Sequence, residues 1–173
     1  MKKIFIILFG IVIYGCSGYE FVYNKNPKIK TIENQTNYIV TGDQVALATN
    51  QISQMLGSNN YNGKYFLFIN LSTEKKAIAI AKDASASKIE INYEIAYSLH
   101  LKVVNKLGQI SSCEVFQKQI SSNSFYNPKS EGYSFSTTIT EQASIEKNIE
   151  SNIRRFINLF AVSENSLECK NDT

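Results

Sequence analysis

The clearest pattern lies in the middle of the chain. From Ile89 to Val103, Ile89, Ile91, Tyr93, Ile95, Tyr97, Leu99, Leu101 and Val103 alternate with Glu90, Asn92, Glu94, Ala96, Ser98, His100 and Lys102. A period of two belongs to a strand with one buried and one polar face. At about 3.3 Å per residue the run approaches 50 Å, so a bend or bulge is expected within it. The stretch "NKLGQ" reads as a hairpin turn with Gly108 at the special position. "ISSCEVFQKQISS" then returns antiparallel, and "NSFYNPKSEG" reads as a loop.

Helical periods flank this hairpin. Val45, Ala48, Ile52, Met55 and Leu56 form one stripe, which predicts a helix over about 42–56. Thr41 with Gln44 reads as its capping box, Asp43 sits in the first turn, and Gly57 is a natural stop. Ile145, Ile149, Ile153, Phe156, Ile157 and Phe160 predict a closing helix over about 140–161, with Thr138 and Glu141 as its capping box. Arg154 and Arg155 in its last third complement the negative helix end.

The remaining segments are shorter. Lys28–Asn34 reads as a weak first strand. "KYFLFINL" is too apolar for a half-wet strand, "STEKK" reads as a turn, and "AIAIAK" as a short strand. The expected fold class is α+β: a two-layer sandwich of a small, mostly antiparallel sheet packed against two helices.

The N-terminus changes where this domain is placed. Met1-Lys2-Lys3 is positive and Ile4 to Tyr14 is apolar apart from Gly10. That is a secretory signal, too short for a resident span of about 20 residues. It ends at Gly15-Cys16, which resembles a bacterial lipobox, so Cys16 is the expected lipidation site. The expected organisation is a signal over 1–15, a lipidated tether over 16–27, one domain over 28–162 and a polar tail over 163–173. Three acyl chains anchor stably where one does not. Ser17, rather than aspartate, follows the cysteine; by analogy with other lipoproteins this points to the outer membrane.

Composition excludes more than it assigns. Lys2 and Lys3 leave with the signal, so 16 basic residues face 15 acidic ones in the mature chain, and nothing argues for nucleic-acid binding. Two further cysteines, Cys113 and Cys169, lie in a compartment that permits a disulfide. They are a candidate pair or two free thiols, and spacing does not decide between them.

Candidate chemistry is sparse. His100 is the only histidine, so no metal site and no cofactor is expected. There is no G-x-S-x-G and no glycine-rich phosphate loop. The hairpin centre near Lys106-Leu107 puts His100 opposite residue 113 or its neighbour, which leaves a Cys113–His100 dyad as a minor enzymatic alternative. Glu90 and Glu94 share a solvated strand face. Lys75, Lys76, Lys82 and Lys88 flank the turns beside "AIAIAK", and Lys129 precedes the closing helix. Such basic loops suit phosphate groups. The chain reads as a binding or assembly module, not an enzyme.

Several stretches carry a resemblance. "GCSGYEFVY", "IAKDASASKIEINYEIAYSLHL", "CEVFQKQISSNSFYNP" and "EQASIEKNIESNIRRFINLF" resemble, in order, the opening, central strand, returning strand and closing helix of the LPS-assembly lipoprotein family (LptE, older name RlpB). The resemblance implies a non-enzymatic lipoprotein anchored on the periplasmic face of the outer membrane. It implies a role as plug and assembly factor in the lumen of a β-barrel translocon protein (LptD-like). It further implies lipopolysaccharide contact through basic loop residues, which fall here on Lys88 and Lys129. The alternative is a lipoprotein of another envelope assembly or secretion complex.

Overall fold

The computed structural model describes residues 26–80, 82, 86–104, 108–128, 134–164 and 167–169. The chain runs α1 (Pro27–Ile32), β1 (Thr36–Gly42), α2 (Val45–Leu56), β2 (Tyr65–Ile80), β3 (Ala86–Val104), β4 (Ile110–Tyr126) and α3 (Ser134–Val162). The strands form one sheet in the order β1-β2-β3-β4. β1 lies parallel to β2, with α2 as the crossover, and β2, β3 and β4 form an antiparallel meander. This is an α+β two-layer sandwich.

The alternation of β3 becomes two different surfaces. Ile91, Tyr93, Ile95, Tyr97 and Leu99 are buried under the helices. They meet Leu67, Ile69 and Leu71 of β2, and Ile145, Ile149, Ile153, Phe156 and Phe160 of α3, in one core. The Tyr97 and Phe156 rings stack with centroids 4.1 Å apart. Ala48, Ile52 and Leu56 of α2 complete the layer. Val45, assigned to that stripe from the sequence, is instead exposed, because it opens the helix at the rim of the sheet.

Five local expectations are corrected. Lys28–Asn34 lies mostly in helix α1 rather than a strand. Asn26 accepts from Lys28 N at 2.9 Å as its cap, Pro27 stands at its start, and Ile29 and Ile32 bury themselves at helical spacing. The first strand is β1. Thr41 belongs to it, so its hydroxyl donates toward Ile69 O and Asn70 rather than capping α2, which begins from Gln44 in a left-handed conformation. "STEKK" is no turn. Ser72–Ala77 pairs continuously with β3, because that long strand supplies backbone partners along its length. Thr138 and Glu141 lie inside α3, which starts at Ser134, so they form no start signal there. The returning strand likewise runs on to Tyr126, where the sequence had suggested a loop.

The expected irregularities of the long strand sit largely in its partners. Ile78 of β2 and Val115 of β4 have no residue opposite them in β3. At the end of β1, Gly42 has a φ of +93°, and a Cβ there would lie 1.9 Å from Leu71 O. Only glycine fits this close approach.

Both ends of the domain meet in one place. The Asn26 amide donates to Ala161 O at 3.1 Å, and Lys28 Nζ donates to Ser163 O. A disulfide joins Cys113 of β4 to Cys169, with Cα atoms 5.7 Å apart, and Leu167 packs against the core beside it. The start of the domain, the end of α3 and the tail are therefore held together at one end of the sheet. The β2–β3 hairpin and the end of β4 lie at the other.

Candidate functional site

Helices α2 and α3 lie on one side of the sheet. Among the described residues nothing covers the other side, and that face is the candidate site. Its β3 row is Glu90, Asn92, Glu94, Ala96, Ser98, His100 and Lys102. The β4 row opposite includes Glu114, Gln117, Gln119, Ser121 and Asn123.

These polar groups are mutually engaged across the strands. Asn123 donates to Glu90 Oε1 at 3.1 Å, and Gln119 donates to Glu94 Oε1. Ser72, Glu74, Asn92, Glu94, Ser121 and Asn123 line a shallow trough between them. Toward the entry end the face turns partly aromatic. Phe68 and Ile39 are each 42% exposed, and the Phe68 ring meets His100 edge-on with centroids 5.3 Å apart.

His100 sits opposite Glu114, while Cys113 pairs with Leu101. Neighbours on a strand point to opposite faces, so His100 and Cys113 are not brought together. His100 Nε2 instead lies 2.7 Å from Ser98 Oγ, and Ser98 Oγ donates to Glu114 Oε2 at 2.9 Å. A hydroxyl has one proton. With that proton given to Glu114, His100 serves Ser98 as a donor rather than as its base. A nucleophilic triad needs the reverse order, with the carboxylate on the histidine. The arrangement is therefore not that of a nucleophilic triad. Among the described residues no three His, Cys, Asp or Glu side chains converge to hold a metal.

Of the lysines singled out for lipopolysaccharide contact, Lys88 is exposed near the start of β3. Its Nζ lies 4.6 Å from the centre of the Phe125 ring, a cation–π distance. Tyr126 pairs with Ile89, so the chain leaves β4 beside Lys88. Lys129 itself and the lipidation site Cys16 lie outside the described residues.

The covered face holds polar groups that the periodicity did not reveal. Asn152 of α3 donates to Ile120 O at 3.0 Å and Ser122 Oγ at 2.8 Å, and accepts from the Tyr97 hydroxyl at 2.8 Å. Asn148, one turn earlier, donates to Ile91 O and Ser124 Oγ, each at 3.2 Å. Two asparagines at i, i+4 on an apolar stripe were the available signal. They lock α3 onto the sheet and so keep the opposite face in one shape. Burial pushes the Tyr97 phenol far above its usual range, which keeps it a neutral donor. Lys75 forms an ion pair with Glu141 of α3, and that hydrogen bond raises the lysine's pKa.

No protein-family model matches the sequence, and no curated protein matches it. Several solved structures resemble the chain. A candidate lipoprotein from Caulobacter crescentus is 15% identical, with a TM-score of 0.54 over 78% of this chain and 92% of its own. The rare lipoprotein B from Shewanella oneidensis is 9% identical, with a TM-score of 0.48 over 73% and 93%. The uncharacterized lipoprotein B from Nitrosomonas europaea is 10% identical, with a TM-score of 0.45 over 73% and 81%. At 15% identity the likeness to the Caulobacter crescentus structure shows a shared fold alone. No helix among the described residues is long and apolar enough to cross a membrane.

Proposed function

We propose that this chain is a lipid-anchored outer-membrane protein that plugs a β-barrel translocon and assists its assembly, supporting lipopolysaccharide delivery to the cell surface. The observation that carries the reading is the division of the sheet. One face is sealed by α2 and α3, and the other is a wide polar surface bearing carboxylates, amides and hydroxyls. The lumen of a large membrane barrel is polar and wet. A face of this kind exchanges hydrogen bonds with such a wall without exposing its own core. Lys88, beside the aromatic Phe125 at the end away from the chain's entry, is the candidate contact for a lipid phosphate. No step of this role requires a catalytic group.

The test is recovery of the lipidated protein from detergent-solubilised outer membrane. A large β-barrel protein should co-purify, depletion should reduce surface lipopolysaccharide, and Cys16→Ala should release the protein from the membrane. If no barrel is recovered and surface lipopolysaccharide is unchanged, the reading fails. Recovery of a secretion or pilus complex would assign the chain to another envelope machine.

A further inference from the structure

Strands β3 and β4 outrun β2 at the entry end. β2 starts at Tyr65, opposite Leu101, and Lys102 N donates to Lys64 O at 2.9 Å. Beyond that point, among the described residues, β3 and β4 pair only with each other: Lys102 with Ser112, Val103 with Ser111 and Val104 with Ile110. At about 3.3 Å per residue these pairs make an arm roughly 10 Å long. Val104 and Ile110 stand directly opposite, so their side chains adjoin on one face. They are 59% and 64% exposed. Lys102, two residues before Val104, shares that face. Gly108 in the turn has a φ of +76° and open space around it. Residues 101–112 contain two lysines and no carboxylate. On the same face Glu114 accepts from Ser98, and Glu94, Glu74 and Glu90 lie progressively farther from the tip. A protruding tip that is apolar with a basic flank has the composition of a membrane-surface contact.

We propose that the tip of the β3–β4 arm contacts the bilayer leaflet that carries the anchor. Val104 and Ile110 enter the headgroup region, and Lys102 meets the phosphates of anionic phospholipids. The position of the arm selects this partner. Asn26 is held by Ala161 O at the same end of the domain, and Val162 beside it is 76% exposed. Asn26 follows Cys16 by ten residues. Fully extended, that stretch spans at most about 35 Å. An anchor at Cys16 therefore keeps this end of the domain within a tether length of the bilayer. Two aliphatic side chains do not hold a protein on a membrane by themselves. Tethering makes the contact intramolecular, so a weak affinity is enough to orient the domain. The contact would turn the basic tip toward anionic lipid and the carboxylates of the open face away from it. The proposal shares the lipid anchor with the barrel reading and does not rest on the barrel.

The chain has no tryptophan, so a single introduced one reports cleanly. Ile110→Trp is made in the full lipidated chain, and Ile139→Trp, 53% exposed near the start of α3, serves as the control at the opposite end. Each is placed in vesicles of phosphatidylethanolamine and phosphatidylglycerol that carry bromine on the upper acyl chain. Matched thermal melts check that each variant folds. The Ile110→Trp emission should shift to the blue and be quenched, and the Ile139→Trp emission should not. Adding Lys102→Glu to the first reporter, or raising the salt to about 1 M, should reduce the quenching about twofold or more. The Cys16→Ala chain, mixed with excess vesicles at low salt, should show the same contrast between reporters at lower occupancy. Water-like, unquenched emission from Ile110→Trp overturns the proposal. So does equal or stronger quenching of Ile139→Trp, which would put the opposite end on the bilayer. Quenching indifferent to Lys102→Glu and to salt overturns the role of the anionic phosphates. No barrel is present in these vesicles, so this result and the barrel pull-down fail separately.

Discussion

The Tyr97 hydroxyl, buried beneath the closing helix, donates to Asn152 Oδ1 at 2.8 Å. Asn152 is 1% exposed and also holds Ile120 O and Ser122 Oγ. One side chain thus joins helix α3 to the middle and edge strands of the sheet.

Asn152→Leu should therefore destabilise the domain by about 2–4 kcal/mol, because it strands the tyrosine hydroxyl together with its other partners. Tyr97→Phe removes one partner only and should cost about 1–2 kcal/mol. Urea denaturation of the two variants checks the order. Equal costs would show that the Tyr97 bond dominates the Asn152 network.

The Cys113–Cys169 bond closes a long loop, with a sequence separation of 56. Replacing both by serine should lower stability by roughly 2–5 kcal/mol. It should also free the tail around Leu167 for proteolysis. Mass analysis of the non-reduced protein, followed by limited proteolysis with and without reductant, checks both.

Stability should fall at alkaline pH. Burial raises the pKa of Tyr97, Tyr93 and Tyr65 above the usual 10.0. In the unfolded chain these phenols ionise near 10, while in the folded chain they keep their protons. Above that pH the unfolded state binds fewer protons, so unfolding becomes easier as pH rises. Lys75, also raised, acts in the same direction, but it is half exposed and screened, so its share is small. The buried phenols should ionise together with unfolding, read as a rise in tyrosinate absorbance that tracks loss of the fold. A single smooth titration with the fold intact would contradict this.

His100→Ala and Ser98→Ala should leave envelope function unchanged. The pair lies on an open face, with the Ser98 proton directed to Glu114. Complementation of a depletion strain checks the expectation. Loss of function in both variants, with the fold and barrel co-purification retained, would support an enzymatic role.

The elements visible in the sequence were those whose period is unbroken. β3 and the body of α3 stood out because burial on one side demands regular spacing over many residues. The segment "STEKK" did not, since its composition matches a turn and only the hydrogen-bonding capacity of β3 makes it strand. Thr41 looked like a cap for the same reason in reverse: its residue type suits a helix start, but pairing with β2 takes it into β1. Ile29 and Ile32 were off alternation in the sequence, and that departure was itself the signal of helix α1. At the uncovered face, the polar identity of Glu90, Asn92, Glu94 and Ser98 was legible, but their partners were not. The unpaired Val115 shifts the β4 register between Phe116 and Glu114, and a shift of one residue decides which side chains meet.

By itself, then, the sequence determined that one strand face is dry and the other wet, that a long amphipathic helix closes the domain, and that the first residues resemble an export and lipidation signal. Those are local properties, written in spacing and residue type. The tertiary structure alone decided that α2 and α3 lie on the same side, that β2 runs past the end of β1, and that Cys169 reaches Cys113. Each of these depends on residues far apart in the chain, and local spacing carries no information about which distant groups will satisfy one another.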